Sequence, residues 1–278
     1  MKNGYRVRKK LEKLLVYIFL ICCALAVLIP IYMIISSAFK PTLEIKQIPP
    51  KLFFKPTLTH FWTIVNDGFL SYFKNTLIIT GTNMVISVLF GFLAAYGLLL
   101  AKGKWAARLS DLIMLGKLLP TIAIVIPYYI ILNKIGLGGS YAGPILAHAA
   151  INLPFVIWLM LAFMRELPGE LLDAAKIDGC SRLTSMTRII VPLLSPAIGS
   201  AVLLTTQYSW NELLFNVVLT SSETYPLTVG IARYVGGVSI YWGKSCMAAT
   251  MVLVPVVVLG FLMQKYMVRG LTAGAVKG

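Results

Sequence analysis

Acidic side chains are scarce in this chain. Its 278 residues hold ten Asp and Glu against twenty-five Lys and Arg, with only two His and four Cys. The apolar runs carry no paired acids and no nucleophile beside a base, so intramembrane catalysis is excluded and no catalytic residue is assigned. His60 and His148 are isolated from each other and from any cysteine, which leaves no metal-ligand spacing. Cys22, Cys23, Cys180 and Cys246 make no disulfide framework, since three of them fall in apolar runs. Gly237 and Gly243-Lys244-Ser245 imitate a phosphate-binding loop, but five residues separate the glycines where that loop needs four. No nucleotide or other cofactor is therefore expected on this chain.

What is abundant is apolar length. Hydrophobic residues make up 58% of the chain, and the mean hydropathy is +0.83. Uncharged runs extend over Leu14–Phe39, Asn75–Ala101, Leu118–Asn133, Ile135–Met164, Ile189–Asn211 and Ser245–Gln264. A bilayer core of about 30 Å needs roughly 20 helical residues, which most of these supply. The third is long enough only if its helix begins before Leu118 and takes in Lys117. In the fourth, Gly136-Leu-Gly138-Gly139-Ser140 reads as a turn ahead of the span proper. The expectation is an all-α polytopic membrane protein with six transmembrane helices, at roughly 14–38, 75–101, 110–132, 141–164, 195–219 and 245–264. The first run ends at Ser36-Ser37-Ala38 like a cleavage site, but it is too long for a signal-peptide core and is read as an uncleaved span.

The formal charge of +15 follows from topology. With the N-terminus inside, sixteen Lys and Arg fall in cytoplasmic segments and eight on the other side, as the positive-inside rule requires. Both termini are then cytoplasmic: a basic stretch 1–13 and a tail 266–278. Residues 40–74 form an extracytoplasmic loop, and 75–265 hold five further helices with a cytoplasmic loop at 165–192. Anionic lipid headgroups suffice as the partner of this charge, and nucleic acid is not needed.

That cytoplasmic loop breaks the apolar monotony. Pro168 suits a helix start, Glu170 and Asp173 lie near the positive end of that helix, and Gly179 can take the left-handed conformation that closes it. Leu171, Ala174, Ala175 and Asp178 fall at spacings of three and four, so small alanines share a face that a partner surface could approach. Ser181 offers an N-cap to a second helix carrying Met186, Ile189 and Ile190, ended by Pro192.

The spacing of Asp173, Ala174, Ala175, Gly179, Ile189 and Pro192 resembles the EAA loop by which permease subunits of bacterial ABC importers grip their ATPase. Asp173 stands where that family usually has Glu, and Val191 where it has Leu. The tail Tyr266-Met-Val-Arg269-Gly270, the segment Phe73-Lys-Asn75-Thr76, Pro120 and Pro127, and Trp210-Asn211-Glu212 are similar to carbohydrate-uptake permeases, specifically the second permease of the heterodimer. The resemblance implies a type I ABC importer permease fold, with a first helix wrapping a five-helix core. It also implies a membrane subunit of the bacterial plasma (inner) membrane without its own ATPase site. Its partners would be a second homologous permease, two ATPase subunits holding ATP and Mg, an extracytoplasmic substrate-binding protein and a sugar. ATPase coupling is then assigned to Glu170, Asp173, Ala174, Ala175, Asp178, Gly179, Ile189 and Pro192. A permease for a non-sugar solute is the alternative. A secondary transporter would show matching halves and mid-span carboxylates, which are absent.

A sugar path through the membrane needs few ionised groups, since each is costly there. The candidates are Lys117, Tyr128, Gln207, Tyr208, Asn211 and Glu212. Lys117 either lines the cavity or snorkels to the cytoplasmic surface, and Glu212 is read mainly as stabilising the outer end of the fifth helix. His148 is read as hydrogen-bonded to an adjacent helix rather than as a proton relay. In the loop from Thr220 to Lys244, Tyr225, Tyr234, Tyr241 and Trp242, with Gly236 and Gly237, fit either a binding-protein contact or a self-packed lid.

Overall fold

The computed structural model describes residues 2–101, 104–118, 120–235 and 241–272. Among them there is no strand beyond an isolated bridge between Gly139 and Thr220. The chain divides into two compact units, residues 1–68 with 233–253 and residues 69–232 with 254–278.

The first unit opens with α1 (Lys2–Ala38), a single helix whose apolar 18-residue window within Lys9–Ala38 is not buried by the chain, while Ser36 and Ala38 at its end are. A short α2 (Thr42–Ile45) and α3 (Thr59–Asn66) follow. They are tied back locally: Thr57 N–H donates to Phe39 O at 2.8 Å, and His60 Nε2 lies 3.0 Å from Lys40 O.

The second unit is organised by α4 (Phe69–Ala101), α7 (Ala142–Glu166) and α11 (Ser195–Asn211). α4 lies along α7, and Gly91 sits where any Cβ would come within 2.6 Å of Val156 Cγ1, so the contact requires glycine. Phe92, Ala95, Tyr96, Val156, Met160, Ala197 and Ala201 fill the core of the three helices. Between α4 and α7 come α5 (Lys104–Leu115) and α6 (Thr121–Lys134). After α7 the chain forms α8 (Gly169–Ile177), α9 (Arg182–Ser185), a π-helical turn Met186–Ile190 and α10 (Val191–Leu193). Beyond α11 lie α12 (Leu214–Leu219) and α13 (Leu227–Val235), and α14 (Trp242–Thr272) closes the described chain. A second cluster joins Val125 and Leu132 of α6, Ala147 of α7, and Phe215 and Leu219 of α12.

The all-α membrane class holds, while the count of six spans is not reproduced exactly among the described residues. Four described helices are long and apolar enough to cross a membrane, and a fifth arises if Arg182–Leu193 and Ser195–Asn211, bent by 76°, count as one span. The helix expected over 110–132 is interrupted: α5 ends at Leu115, Gly116–Leu118 form a 3₁₀ turn, and α6 restarts after Pro120, whose ψ of 129° is extended. Pro120 lacks the N–H a continuing helix would need. The helix expected over 195–219 also breaks, because Glu212 is extended at ψ 130° and its side chain serves α12 instead. At the ends, α1 begins well before residue 14, α4 starts at Phe69 rather than 75, and α14 starts at Trp242. Of the tail, 273–278 lie outside the described residues, as do Gly236 and Gly237 of the loop after α13.

Candidate functional site

Two places gather the residues singled out above. The first is the polar segment. Pro168 caps α8 with φ −55° and ψ 128°. Its C-terminus closes as a Schellman motif: Gly179 N–H donates to Lys176 O, Cys180 N–H donates to Ala175 O at 2.9 Å, and Gly179 has φ +77°. Ser181 then caps α9, its Oγ accepting from Thr184 N–H at 3.1 Å. Glu170, Asp173, Ala174, Ile177 and Asp178 are exposed, whereas Ala175 is buried. The expected small-residue face is thus divided, with Ala175 turned into the protein and Ala174 outward. Asp173 accepts a hydrogen bond from Lys176 Nζ at 2.8 Å.

Pro192 does not end the second helix, contrary to expectation. The π-helical turn before it loosens the backbone ladder, so the chain runs through Pro192 and turns only at Leu194. Ile190 is buried in the core, and Ile189 is partly buried. Tyr96 of α4 donates its hydroxyl to Arg182 O at 3.1 Å. The polar segment is therefore anchored to the core and continuous with α11.

The second place is a cavity of about 570 Å³ at the other end of α11. Lys117, Gln207, Tyr208, Asn211 and Glu212 all line it, joined by Asn152, Phe155 and Leu204. The 3₁₀ turn that breaks the third span places Lys117, whose Nζ lies 4.2 Å from the Phe155 ring centroid. Tyr128 is elsewhere, packed on Phe215 in the second apolar cluster. Glu212 is almost buried. Its Oε1 accepts from Phe215 N–H at 3.0 Å, and its Oε2 accepts from Asn216 N–H at 3.2 Å, which fixes the start of α12. His148 Nε2 lies 3.3 Å from the same Oε2, and its Nδ1 lies 2.7 Å from Ser209 Oγ. The buried His148 thus joins α7 to α11. Asn152 donates to Asn83 Oδ1 at 2.8 Å, which links α7 to α4.

Sequence reading missed Asn152, Phe155 and Ser209. Ser209 carries a signal in hindsight, one helical turn before Glu212 on the face that meets His148. Asn152 and Phe155 carry none, since polar and aromatic residues inside a span are as common in packing. Tyr225 belongs to the second unit, where its carbonyl and that of Glu223 accept from Asn75 Nδ2. Tyr234, Tyr241 and Trp242 belong to the first unit. There Tyr241 N–H donates to Tyr234 O, and Lys244 lies near both tyrosine rings while pairing with Asp67 at 2.8 Å.

The family described as binding-protein-dependent transport system inner membrane component matches residues 87–273. The trehalose/maltose transport system permease protein MalG of Thermococcus litoralis is 32% identical over 276 residues, covering 96% of this chain and 98% of that protein. The diacetylchitobiose uptake system permease protein DasC of Streptomyces coelicolor is 32% identical, covering 90% and 91%. Among solved structures, a chain of a bacterial ABC transporter involved in the import of the acidic polysaccharide alginate superposes with a TM-score of 0.80. It is 22% identical, covering 92% of this chain and 96% of that one, a likeness of fold. With the family match over more than half of its length and relatives above 30% identity over at least 90% of it, the chain belongs to the binding-protein-dependent transport system inner membrane components, the multi-pass permease subunits of ABC importers.

Proposed function

We propose that this chain pairs with a second permease to carry a sugar across the plasma membrane, driven by ATPase subunits that grip residues 168–192. The observation that carries the reading is continuity. An exposed acidic helix, closed by Gly179, leads through a π-helical turn and a 76° bend at Leu194 into the helix whose far end lines a cavity with amide and aromatic side chains. A rigid-body displacement of α8 is thereby delivered to Gln207, Tyr208 and Asn211 without any covalent chemistry on this chain. ATP and Mg belong to the ATPase subunits in this scheme, and an extracytoplasmic binding protein delivers the solute. The sugar assignment is supported by the relatives that carry trehalose/maltose and diacetylchitobiose in their names, and by the amide and aromatic lining, which suits hydroxyls and sugar rings. Both termini and the 168–192 segment are cytoplasmic, and Tyr225, Tyr234, Tyr241 and Trp242 face the binding protein.

Two measurements test this. Reconstituted alone in liposomes, the chain hydrolyses no ATP. Together with its partner subunits and binding protein, it supports ATP-dependent sugar uptake, and hydrolysis by the chain alone refutes the assignment. For topology, the native cysteines are replaced and a single cysteine is introduced at the exposed Ile177 or Tyr241. An impermeant thiol reagent applied to intact cells labels only the second.

A further inference from the structure

We propose that Lys117 is an anion-recognising residue of the cavity, and that the sugar it serves bears a carboxylate, sulfonate or phosphate. This rests on the importer reading and adds the charge class of the cargo. The lining holds two ionisable groups of opposite sign with opposite fates. Glu212 is spent, both oxygens being committed to the backbone N–H groups of Phe215 and Asn216 and one also facing His148. Lys117 has no carboxylate within ion-pair distance among the described residues. Its ammonium rests on the face of Phe155.

A lysine in an otherwise apolar run is expensive and ordinarily faces a partner or a water-filled path. The turn at Gly116–Leu118 brings this one to the cavity, at the cost of interrupting a span. An ammonium over an aromatic ring is held weakly, and a charged oxygen displaces that contact readily. Gln207 and Asn211 beside it offer amides for hydroxyl groups, and Tyr208 and Phe155 offer flat faces for a sugar ring. A neutral sugar would use these and leave the ammonium unanswered. An acidic sugar uses all of them.

The test employs the complete transporter in liposomes with its own binding protein. The probes are digalacturonate, trehalose 6-phosphate, and the neutral disaccharides maltose and diacetylchitobiose. The expected result is import of an anionic probe by wild type, reduced about tenfold by Lys117→Met at equal membrane level and retained by Lys117→Arg. In a background free of native cysteines, Lys117→Cys is inactive toward the anionic probe. It recovers after aminoethyl methanethiosulfonate, which adds a cation, and stays inactive after the neutral methyl reagent. Four results overturn the proposal: import of neutral probes only, loss of less than twofold with Lys117→Met, equal loss for neutral and anionic probes, or recovery with the neutral reagent. Equal loss makes Lys117 a structural residue of the path and not one that recognises charge. Import of none of the four probes counts against the sugar reading itself, a separate failure.

Discussion

The polar segment and the cavity lie at the two ends of the same helix path, yet they are built by different means. The segment is made of local backbone devices: Pro168 at a helix start, a left-handed Gly179 at its close, Ser181 as a cap. Each acts on residues three to five positions away, so its geometry survives in the order of the letters. The cavity is made of side chains drawn from a turn near Lys117, from α7 and from α11, held by a buried triad of Ser209, His148 and Glu212. The comparison teaches where rigidity comes from. A coupling element needs a stiff local shape that can move as a body, whereas a path needs distant groups brought to a common wall.

The sharpest way to break the first half of the comparison is to strain the closure. Gly179→Val forces a β-branched residue to φ +77°, at a cost of roughly 1–2 kcal/mol or more. Combined with Asp173→Lys, which reverses charge on the exposed face, it should insert normally and abolish ATPase association and uptake. Immunoblot of membranes, pull-down of the ATPase and transport assay are read together. Wild-type uptake by the double variant would show that the segment is a connector and nothing more.

The cavity half is broken at Glu212. Glu212→Ala removes the acceptor for two backbone N–H groups at the start of α12 and leaves His148 without that partner. The expected loss is about 1–3 kcal/mol of stability, seen as a lower unfolding midpoint of the detergent-purified chain. Glu212→Gln keeps one carbonyl acceptor and should lose less. Identical midpoints for wild type and Glu212→Ala would remove the carboxylate from the architecture and return it to the path as a free group.

This asymmetry also explains what could be read in advance. The all-helical membrane class followed from run length, and the turn at Gly179 and the Ser181 cap followed from residue type and spacing, because those effects are short-range. The break at Gly116–Leu118 was hidden because a Lys inside an apolar run fits a continuous span as well as an interrupted one. Pro120 is the available signal, but its cost competes with the span length that a bilayer demands. Pro192 departs from expectation for the opposite reason: the preceding π-helical turn, invisible in sequence, loosens the ladder where a proline ordinarily clashes. Glu212 lies at the end of α11, and its carboxylate serves the helix that follows. Its link to His148 spans 64 positions and leaves no periodic trace.

A smaller effect sharpens the rigidity of the core through which the two ends communicate. Gly91→Ala puts a methyl carbon within 2.6 Å of Val156 Cγ1, and Val156 has no room to yield because it is fully buried. α4 and α7 must separate slightly, which should lower stability by about 1–3 kcal/mol. Ala at Gly97, where nothing lies within 4 Å of an added Cβ, should leave the midpoint unchanged or raise it slightly, since alanine favours a helix. Equal midpoints for the two variants would mean that α4 and α7 are less closely held than the geometry requires.

The smallest effect concerns Asp173 alone. Its carboxylate pairs with Lys176 at 2.8 Å, but both side chains are 65% exposed and sit one helical turn apart. Such pairs contribute a few tenths of a kcal/mol, and added salt screens them. Asp173→Asn should therefore leave the unfolding midpoint within error and leave α8 closed by Gly179, because that closure uses backbone groups only. If residue 173 matters to function, it must act between subunits, where a charged partner excluded from water gives the carboxylate a larger role. The two readings separate in one experiment. Loss of ATPase binding by Asp173→Asn at unchanged midpoint, greater at low than at high ionic strength, places the charge at an interface. Unchanged binding at both ionic strengths leaves Asp173 a solvated residue on an exposed helix, and the shape of the segment, not its charge, then carries the coupling.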